Sequence, residues 1–385
     1  MDEFREVIRK SWGERLGGAF VGVVIGLLMF VLSFPVLWWN EGRSVDRART
    51  LAEGLELVIP VAADPVDPAH DKGLIHISDR AVGDGPLDDP AFGLSVDALK
   101  VKRVVEMYQW IEEKEERTVK EAGGSERTET TYRYHREWSD RAVDSARFRI
   151  AEGHRNPAAL PFAPLALVAP RISIGAFALT RDFVSQIDDY RELPVSDAVY
   201  AGAPENVRGR FQLSAGRFHQ GDPAAPQIGD VRVGFLAIHP QEIGVVGRQS
   251  GNRIEPYRTR TGEIALLRMG GGSADSLFAD ARDENTLITW GIRLGGFAAM
   301  WIGLALLFGP IKILADVLPV LGTIVGAGFA MVAGLAAVAL SAVTIGLAWL
   351  AYRPLIGIGL LAVAAAAMLA SAYLARRKRQ LAGPA

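Results

Sequence analysis

The sequence predicts an α-helical membrane protein with four transmembrane helices and a large β-rich α+β extramembrane domain inserted between helices 1 and 2. The distribution of charge carries this prediction. Residues 17–39 and 291–375 are nearly free of charge, whereas residues 41–289 hold most of the charged side chains. A spanning helix needs about 20 mostly apolar residues, so the two ends of the chain can cross a bilayer and the middle cannot.

The first predicted span covers residues 17–39. It is too long for the apolar core of a signal peptide and ends without a small-residue cleavage site, so we interpret it as an uncleaved anchor. The segment before it, residues 1–16, spaces apolar side chains among charges as an amphipathic helix does. We expect a short helix on the cytoplasmic membrane surface, with a plain cytosolic helix as the alternative.

The C-terminal apolar region is interrupted at 309–312 and again at 352–354. It therefore predicts three further spans, and a short basic tail follows them. The predicted segments of the whole chain are 1–16, 17–39, 40–155, 156–289, 290–310, 325–351, 354–375 and 376–385.

Charge and aromatic residues predict the orientation. Four basic residues at 376–379 directly follow the last span, and an excess of Lys and Arg favours the cytoplasmic side. Both termini are therefore expected inside and the middle domain outside. Trp and Tyr favour membrane interfaces, and this topology brings five aromatic residues from three different spans to the outer surface. They are Trp38, Trp39, Trp290, Trp349 and Tyr352.

Small residues recur at four-residue spacing in the spans, as in Gly18, Gly22 and Gly26, and again in Gly291 and Gly295. Such spacing lets helix backbones approach closely, so we predict a tight bundle with one ridge left for self-association. The alternative is that glycine and alanine are simply common in membrane helices.

The middle region reads as two subdomains, 40–155 and 156–289. Alternating runs at 98–111 and 130–138 predict a hairpin whose charged, solvated turn contains Gly123-Gly124. The apolar segment 160–179 contains three prolines and an arginine, so we expect a helix in the outer domain or at the membrane surface rather than a span. A second hairpin turns at Thr261-Gly262, and Ser273 is a helix N-cap.

No catalytic constellation emerges from the sequence. The chain has no cysteine, and its six histidines show no metal-ligand spacing. His154 lies in the loop EGHRNP, where a hydrogen-bonding role is a better interpretation than a catalytic one. A G-x-S-x-G elbow and a carboxylate couple are both missing. The sequence predicts no enzyme, no cofactor and no metal.

The motif WWNEGR at 38–43 ends the first span with an acid, a glycine and a base. Glu41 lies at the level where the second span enters, near Arg293, and where the third turns into the fourth, near Tyr352 and Arg353. We hypothesise that Glu41 pairs with Arg293 or Arg353 and ties the first span to the others. Gly42 would allow a sharp turn. Arg43 lies at the same level. Alternatively, Glu41, Arg293 and Arg353 all face water and lipid headgroups.

The chain resembles the transmembrane protein 43 family, also called LUMA. The motifs that carry the resemblance follow one another along nearly the whole chain, and NEGR, VEMYQW and YRPL are the most specific of them. The resemblance implies four spans and a large luminal or periplasmic domain. It also implies self-association, lamin and emerin partners, and residence in the endoplasmic reticulum and inner nuclear membrane of eukaryotic members. It implies no enzymatic activity.

The absence of cysteine and the abundance of Ala, Arg and Gly indicate a bacterial member instead, with lamin and emerin in doubt. We expect a bacterial inner-membrane scaffold or organiser of membrane protein complexes, with its outer domain binding proteins or lipids. Expected partners are the bilayer, other copies of the chain and other membrane proteins, and no nucleic acid. The alternative is a transport or enzymatic component with a hidden site in the outer domain.

Overall fold

The computed structural model describes residues 3–121, 123–317, 319–355 and 357–359. The chain divides into two compact units. The β-rich unit contains residues 1–8, 50–118 and 128–281, and the helical unit contains 9–49, 119–127 and 282–385.

Three of the described helices, α1, α5 and the part of α7 from Gly322, are long and apolar enough to cross a membrane. The fourth predicted span, 354–375, lies almost entirely outside the described residues, as does the tail 376–385. The helices are α1 Trp12–Leu57, α2 Arg181–Val184, α3 Asp197–Gly202, α4 Glu205–Arg208, α5 Ala274–Leu307, α6 Gly309–Ala315 and α7 Pro319–Tyr352.

Most of the strands lie between α1 and α5, so a β-rich domain separates the first two spanning helices as the charge pattern predicted. The strands are β1 Glu3–Lys10, β2 Ile59–Pro60, β3 Leu74–Gly83, β4 Leu87–Asp89, β5 Leu94–Val96, β6 Lys100–Lys120, β7 Glu126–Ser139, β8 Leu165–Val168, β9 Ile172–Ile174, β10 Phe177–Leu179, β11 Arg191–Leu193, β12 Gln212–Ser214, β13 Arg217–His219, β14 Val231–Ile238, β15 Glu242–Ser250, β16 Arg253–Glu255, β17 Tyr257–Arg258, β18 Glu263–Ile264 and β19 Leu266–Met269.

Helix α1 begins at a capping box. The backbone N–H of Glu14 bonds to the Ser11 hydroxyl, and the Glu14 carboxylate accepts from the Ser11 backbone N–H at 2.8 Å. This pattern satisfies free N–H groups at a helix start. The helix then continues past the predicted end of the span at Trp39 to Leu57.

The N-terminal segment is a strand, so the expectation of an amphipathic helix there was wrong. Strand β1 pairs with β7 at the edge of a sheet. Phe4 contacts the ring of Tyr132, and Glu6 accepts a hydrogen bond from the Tyr132 hydroxyl. The apolar spacing fits a helix, but a partner strand satisfies the backbone better than a lone short helix at a surface does.

Two large sheets form the β-rich unit. An eight-stranded sheet has the order β1-β7-β6-β14-β13-β12, with β11 on β14 and β8 on β6, and a seven-stranded sheet has the order β19-β15-β16-β10-β9-β3-β2. Strand β6 pairs with β14, and β3 pairs with β15. Strands from both sides of residue 155 therefore contribute to both sheets, and the predicted boundary at 155/156 does not separate two bodies.

The apolar core contains inward-facing residues from both sheets, among them Val105 of β6, Val233 of β14 and Ile77 of β3. The segment 160–179 contributes strands β8, β9 and β10 to these sheets, so the expectation of a helix there was wrong. Its prolines lie outside the three short strands, where no ladder hydrogen bond is lost.

The predicted long hairpin is present as β6 and β7, and its turn is at 121–125. Arg103 and Gln109 interrupt the apolar face of β6, yet both point inward. Arg103 makes two hydrogen bonds to the buried carboxylate of Asp89, at 2.8 and 2.9 Å, and Gln109 bonds to the backbone of Arg141 and Val143. These polar side chains satisfy buried groups, which an apolar residue could not do.

The shorter features predicted from the sequence are also confirmed. Strands β17 and β18 form a hairpin around Thr261-Gly262. The Ser273 hydroxyl accepts a hydrogen bond from the backbone N–H of Ser276 at 3.3 Å, so Ser273 caps α5. The capped helix does not stop at 281 but continues as the second spanning helix to Leu307.

Candidate functional site

Glu41 lies at the centre of a buried polar cluster in the helical unit. Its side chain is 1% exposed, and Arg293 of α5 reaches it with Nε at 2.7 Å and a terminal nitrogen at 2.8 Å. The indole N–H of Trp349 in α7 donates to the same carboxylate at 2.7 Å. One carboxylate therefore connects all three spanning helices, and the structure forms the Glu41–Arg293 pair that the sequence suggested.

Aromatic rings enclose the Arg293 guanidinium. It lies 4.8 Å from the centre of the Trp290 ring and 5.7 Å from that of Trp349. Cation–π contacts strengthen when water is removed from around them, and Arg293 is only 16% exposed. Arg353, which follows α7, acts on Glu41 by charge without a direct hydrogen bond.

Asn40 and Arg43 extend the cluster along α5. The Asn40 amide donates to the carbonyl oxygen of Thr289 at 3.1 Å, and Arg43 donates to the side chains of Asn285 and Thr289 at 3.1 and 3.0 Å. The amide of Asn285 in turn donates to the carbonyl oxygen of Ser44. Both polar ends of the NEGR motif therefore bond to α5.

Gly42 is helical, so the sharp turn expected at this glycine is absent. Its role is close approach. A Cβ atom at this position would lie 2.8 Å from the Tyr352 ring. The Tyr352 hydroxyl in turn accepts from the Trp38 indole N–H at 3.1 Å. Among the predicted interfacial aromatic residues, Trp39 and Trp290 are the more exposed, at 58% and 56%.

The small-residue pattern contains one tight crossing. A Cβ at Gly26 would lie 2.7 Å from the carbonyl oxygen of Gly303, and a Cβ at Gly303 would meet the backbone of Phe30 at 2.8 Å. Gly22 touches only the end of the Leu306 side chain, at 3.8 Å. Gly18, Gly291 and Gly295 meet no described atom within 4 Å.

We expect Gly26→Leu to destabilise the helical unit by about 1–3 kcal/mol, because overpacking forces the α1 and α5 backbones apart. The measurement is the midpoint of thermal unfolding of the full chain in detergent. Gly291→Leu is the matched control, since its side chain would enter open space. Equal midpoints for the two variants would show that the crossing is not tight.

A second polar cluster lies around Arg15, near the N-terminal end of α1, and it was not predicted from the sequence. The carboxylate of Asp316 is fully buried and accepts from Arg15 at 2.5 Å and from Lys120 at 2.7 Å. Arg15 also pairs with Glu126 at 2.8 Å. Burial opposes ionisation of Asp316, but the hydrogen bonds from Lys120 and Arg15 outweigh it and lower its pKa.

The turn between β6 and β7 was predicted to be free and solvated, and this was wrong. The turn is part of the second cluster. The backbone N–H of Gly123 donates to the carbonyl oxygen of Val317. Gly124 has a φ of +81°, and a Cβ there would lie 2.5 Å from the Trp12 ring. A lone aspartate between two apolar runs was the only sequence signal for this contact.

The motif VEMYQW and the loop EGHRNP contact each other in the β-rich unit. His154 is buried, stacks on Tyr134 with ring centres 4.0 Å apart, and meets Trp110 edge-on at 4.7 Å. Its Nδ1 hydrogen-bonds to the carbonyl oxygen of Ile150. Asn156 binds both backbone groups of Trp110. His154 therefore has a structural, hydrogen-bonding role in its loop, which is the interpretation favoured from the sequence.

Tyr134 completes this aromatic cluster. Its hydroxyl donates to Glu112 at 2.7 Å and accepts from the backbone N–H of Ile150. Burial, with the hydrogen bond to Glu112, raises the pKa of Tyr134 to about 12. A phenol with this pKa stays protonated in neutral solution and acts as a fixed hydrogen-bond donor.

Two other histidines, His76 and His219, should make the stability of the folded chain depend on pH. Burial lowers the pKa of His76, whose Nε2 donates to the carbonyl oxygen of Gly272, and burial also lowers the pKa of His219. The unfolded chain binds protons at these sites near the ordinary value of 6.5, while the folded chain does not. Their stabilising contribution is therefore present above pH 6.5 and is lost as the pH falls below it.

We expect the unfolding midpoint of the full chain to fall between about pH 7.5 and 5.5, and His76→Gln to reduce that fall. His239→Gln is the control, because His239 is exposed to solvent. A slope that is identical in the wild type and His76→Gln would contradict the assignment.

Metal and catalytic chemistry find little support in the described part of the chain. No group of three or more His, Asp or Glu side chains within it could hold a metal ion. The buried carboxylates named above are each bound by arginine, lysine or backbone groups. The arrangement joins elements together and offers no free acid–base couple.

Three helices able to cross a membrane, with a β-rich domain between the first and second, define a multi-pass membrane protein with a large extramembrane domain. A family model described as Transmembrane protein 43 matches residues 107–354. The chain belongs to the transmembrane protein 43 family.

Relatives in animals match most of the chain. Transmembrane protein 43 of Mus musculus is 35% identical over 354 residues, covering 89% of this chain and 87% of that protein. The protein of Homo sapiens is 34% identical over the same shares. The Transmembrane protein 43 homolog of Drosophila melanogaster is 30% identical over 379 residues and 94% of each chain. No solved structure matches the chain significantly.

Proposed function

We propose that this protein is a non-catalytic scaffold that organises membrane protein complexes, and that its β-rich domain binds other proteins or lipids. The observation that carries the proposal is the face of the eight-stranded sheet opposite the apolar core. This face is a partly exposed array of charged and aromatic side chains, defined here as the charged face. Its main residues are Glu106, Tyr108, Trp138, Arg217 and Arg232.

Ion pairs hold the charged face in a fixed arrangement. Glu106 on β6 accepts from Arg232 on β14 at 2.7 Å and from Arg217 on β13 at 3.1 Å. The Arg232 guanidinium lies 4.7 Å from the centre of the Trp138 ring. Arg and Trp are enriched at protein interfaces, where rigid side chains lose little entropy on binding.

A shallow cavity of about 300 Å³ opens on this face at Gly234. Strand β14 pairs there with β13 on one side of Gly234 and with β11 on the other, so the two short strands separate at the glycine. Ala215, which lines the cavity, has a φ of +49°. A side chain or headgroup of a partner fits such a recess.

The alternative function, a transport or enzymatic component, would need a free reactive group in this cavity. Both carboxylates that line it, Glu106 and Glu192, are paired with Arg217, at 3.1 and 2.7 Å. A paired carboxylate is a poor general base. The arrangement therefore supports binding over catalysis.

Reversing charge on this face tests the function. The double variant Arg217→Glu/Arg232→Glu should lose co-purifying membrane proteins from the full chain in mild detergent, while Arg253→Glu, an exposed charge elsewhere in the unit, should keep them. Unfolding midpoints identify variants that fail to fold. Unchanged complexes, or solute flux into liposomes that requires the protein, would favour the alternative.

We also propose a bacterial inner (plasma) membrane as the location, with cytoplasmic termini and residues 40–289 mainly periplasmic. In a eukaryotic cell the same protein would lie in the endoplasmic reticulum and inner nuclear membrane. Self-association and contact with other membrane proteins fit the exposed apolar side chains of α1, such as Phe20, Val24 and Leu28. We propose no nucleic-acid partner.

Residues 119–127 are an exception to the periplasmic assignment. They contact Arg15 at the start of the first span, and β1 of the N-terminal segment pairs with β7, so a cytoplasmic N-terminus requires this end of the hairpin on the cytoplasmic side as well.

A further inference from the structure

We propose that the helical unit contains a binding groove for one anionic phospholipid at the Arg15 end of α1. This inference is independent of the proposed scaffold function. The groove is a cavity of about 370 Å³ between α1, α5, α6 and the β6–β7 turn. Small and apolar side chains form its floor, and charged side chains form its rim.

The floor consists of Gly18, Ala19 and Gly22 of α1 with Leu306 of α5. No described atom lies within 4 Å of a Cβ placed on Gly18, and the nearest to Gly22 is the end of Leu306 at 3.8 Å. The helices therefore leave a slot where the apolar part of the first span begins. At that depth in a bilayer the available material is a lipid acyl chain.

The rim carries a net positive charge, because Lys10, Arg15, Lys120 and Lys312 line it together with Glu14 and Glu126, and the charge of Lys10 acts on Glu14. Glu14 accepts the Ser11 bonds of the helix cap, and Arg15 and Lys120 are paired with Asp316 and Glu126. Lys10 and Lys312 are the two basic side chains of the rim that lie outside these pairs.

Neither lysine has an ion pair or a side-chain hydrogen bond to any residue that the structure describes. A Cβ at Gly326 would lie 2.9 Å from Lys312 Cε, so the stem of Lys312 packs closely over that glycine. The packing holds the ammonium group near the rim.

The combination of rim and floor selects the ligand. Lysines next to a spanning helix attract anionic headgroups, and Trp12, whose indole N–H donates to Ile313 at 3.0 Å, places this end at an interface. A free phosphate ion would use the two lysines but gain nothing from the apolar floor. A phospholipid uses both, with its phosphate at Lys10 and Lys312 and an acyl chain over Gly18 and Gly22.

The test measures phospholipid retained by the full chain, purified from vesicles of phosphatidylcholine containing a minor fraction of phosphatidylglycerol, by native mass spectrometry. The wild type should retain phosphatidylglycerol selectively. Lys10→Gln/Lys312→Gln should lower the retained ratio of phosphatidylglycerol to phosphatidylcholine about tenfold. Lys72→Gln, an exposed lysine of the β-rich unit, should leave it unchanged.

Filling the slot tests the floor separately. Gly18→Leu should reduce retention of the lipid, whereas Gly17→Leu, one residue away and outside the groove lining, should not. Both variants should keep the wild-type unfolding midpoint. Equal retention in Gly18→Leu and Gly17→Leu, no preference for phosphatidylglycerol, or full displacement by inorganic phosphate alone would overturn the proposal.

Discussion

Replacing Glu41 by glutamine is expected to lower the stability of the helical unit by about 3–5 kcal/mol, because it leaves Arg293 buried without its counter-ion. The carboxylate of Glu41 is 1% exposed and receives two bonds from Arg293 and one from Trp349. An amide has one acceptor oxygen, and its NH2 group would oppose an arginine donor. The measurement is the thermal midpoint of the full chain in detergent.

A control on the same helix separates burial from charge. Glu53 pairs with Arg260 at 3.7 Å, and the Arg260 side chain is 89% exposed. Exposed pairs contribute about 0–1 kcal/mol, so Glu53→Gln should leave the midpoint nearly unchanged. If Glu41→Gln and Glu53→Gln behave alike, the cluster does not join the helices.

The reversed pair tests the partner directly. Glu41→Arg should destabilise strongly, and adding Arg293→Glu should restore part of the loss. Restoration should remain incomplete, because the Trp349 indole N–H loses its acceptor at position 41. Rescue by Arg353→Glu instead would assign the pairing to the other arginine.

The second large effect is expected for Asp316→Asn, which should release the β6–β7 turn from the helical unit. Lys120 and Arg15 both donate to the buried Asp316 carboxylate, and an amide cannot accept both charged donors equally well. Limited proteolysis at 119–127 should accelerate, and the thermal midpoint should fall. Glu121→Gln is the control, because it weakens only the more exposed contacts of Glu121 with Arg127 at 3.8 Å and with the Ser125 hydroxyl at 3.5 Å.

The contact should not titrate in the physiological range. The pKa of Asp316 is lowered below its ordinary value of 3.8, so its stabilising charge is lost only as the pH falls through that acidic region. Proteolysis at the turn should therefore be constant between about pH 5 and 8. Release near neutral pH would contradict this assignment.

Labelling of the same turn tests the proposed topology. The chain has no cysteine, so a single introduced thiol reports its own side of the membrane. Ser125→Cys should react with an impermeant maleimide from the side of the N-terminal end of α1, and Asp84→Cys from the periplasmic side. Reaction of both thiols from one side would overturn the proposed topology.

Much of the architecture follows from local patterns in the sequence. Charge-free runs of spanning length predicted α1, α5 and α7, because the cost of burying charge in lipid depends on composition alone. Alternation predicted the β6–β7 hairpin, since side chains of a strand alternate between two faces. The position of Glu41 at the level of Arg293 followed from counting residues along antiparallel helices.

Other features required the tertiary structure, because their stabilising partners are far away in the sequence. Residues 3–10 have a helical spacing of apolar residues, yet pairing with β7 makes them a strand. The sequence suggested that Gly42 forms a turn, but the structure shows that the glycine allows the Tyr352 ring, at the end of α7, to approach α1 closely. Asp316 is one charge between two apolar runs until Arg15 and Lys120 reach it. Sequence spacing determined which segments can span a membrane and located the β6–β7 hairpin, whereas long-range pairing decided that residues 3–10 and 160–179 form strands and which residues meet.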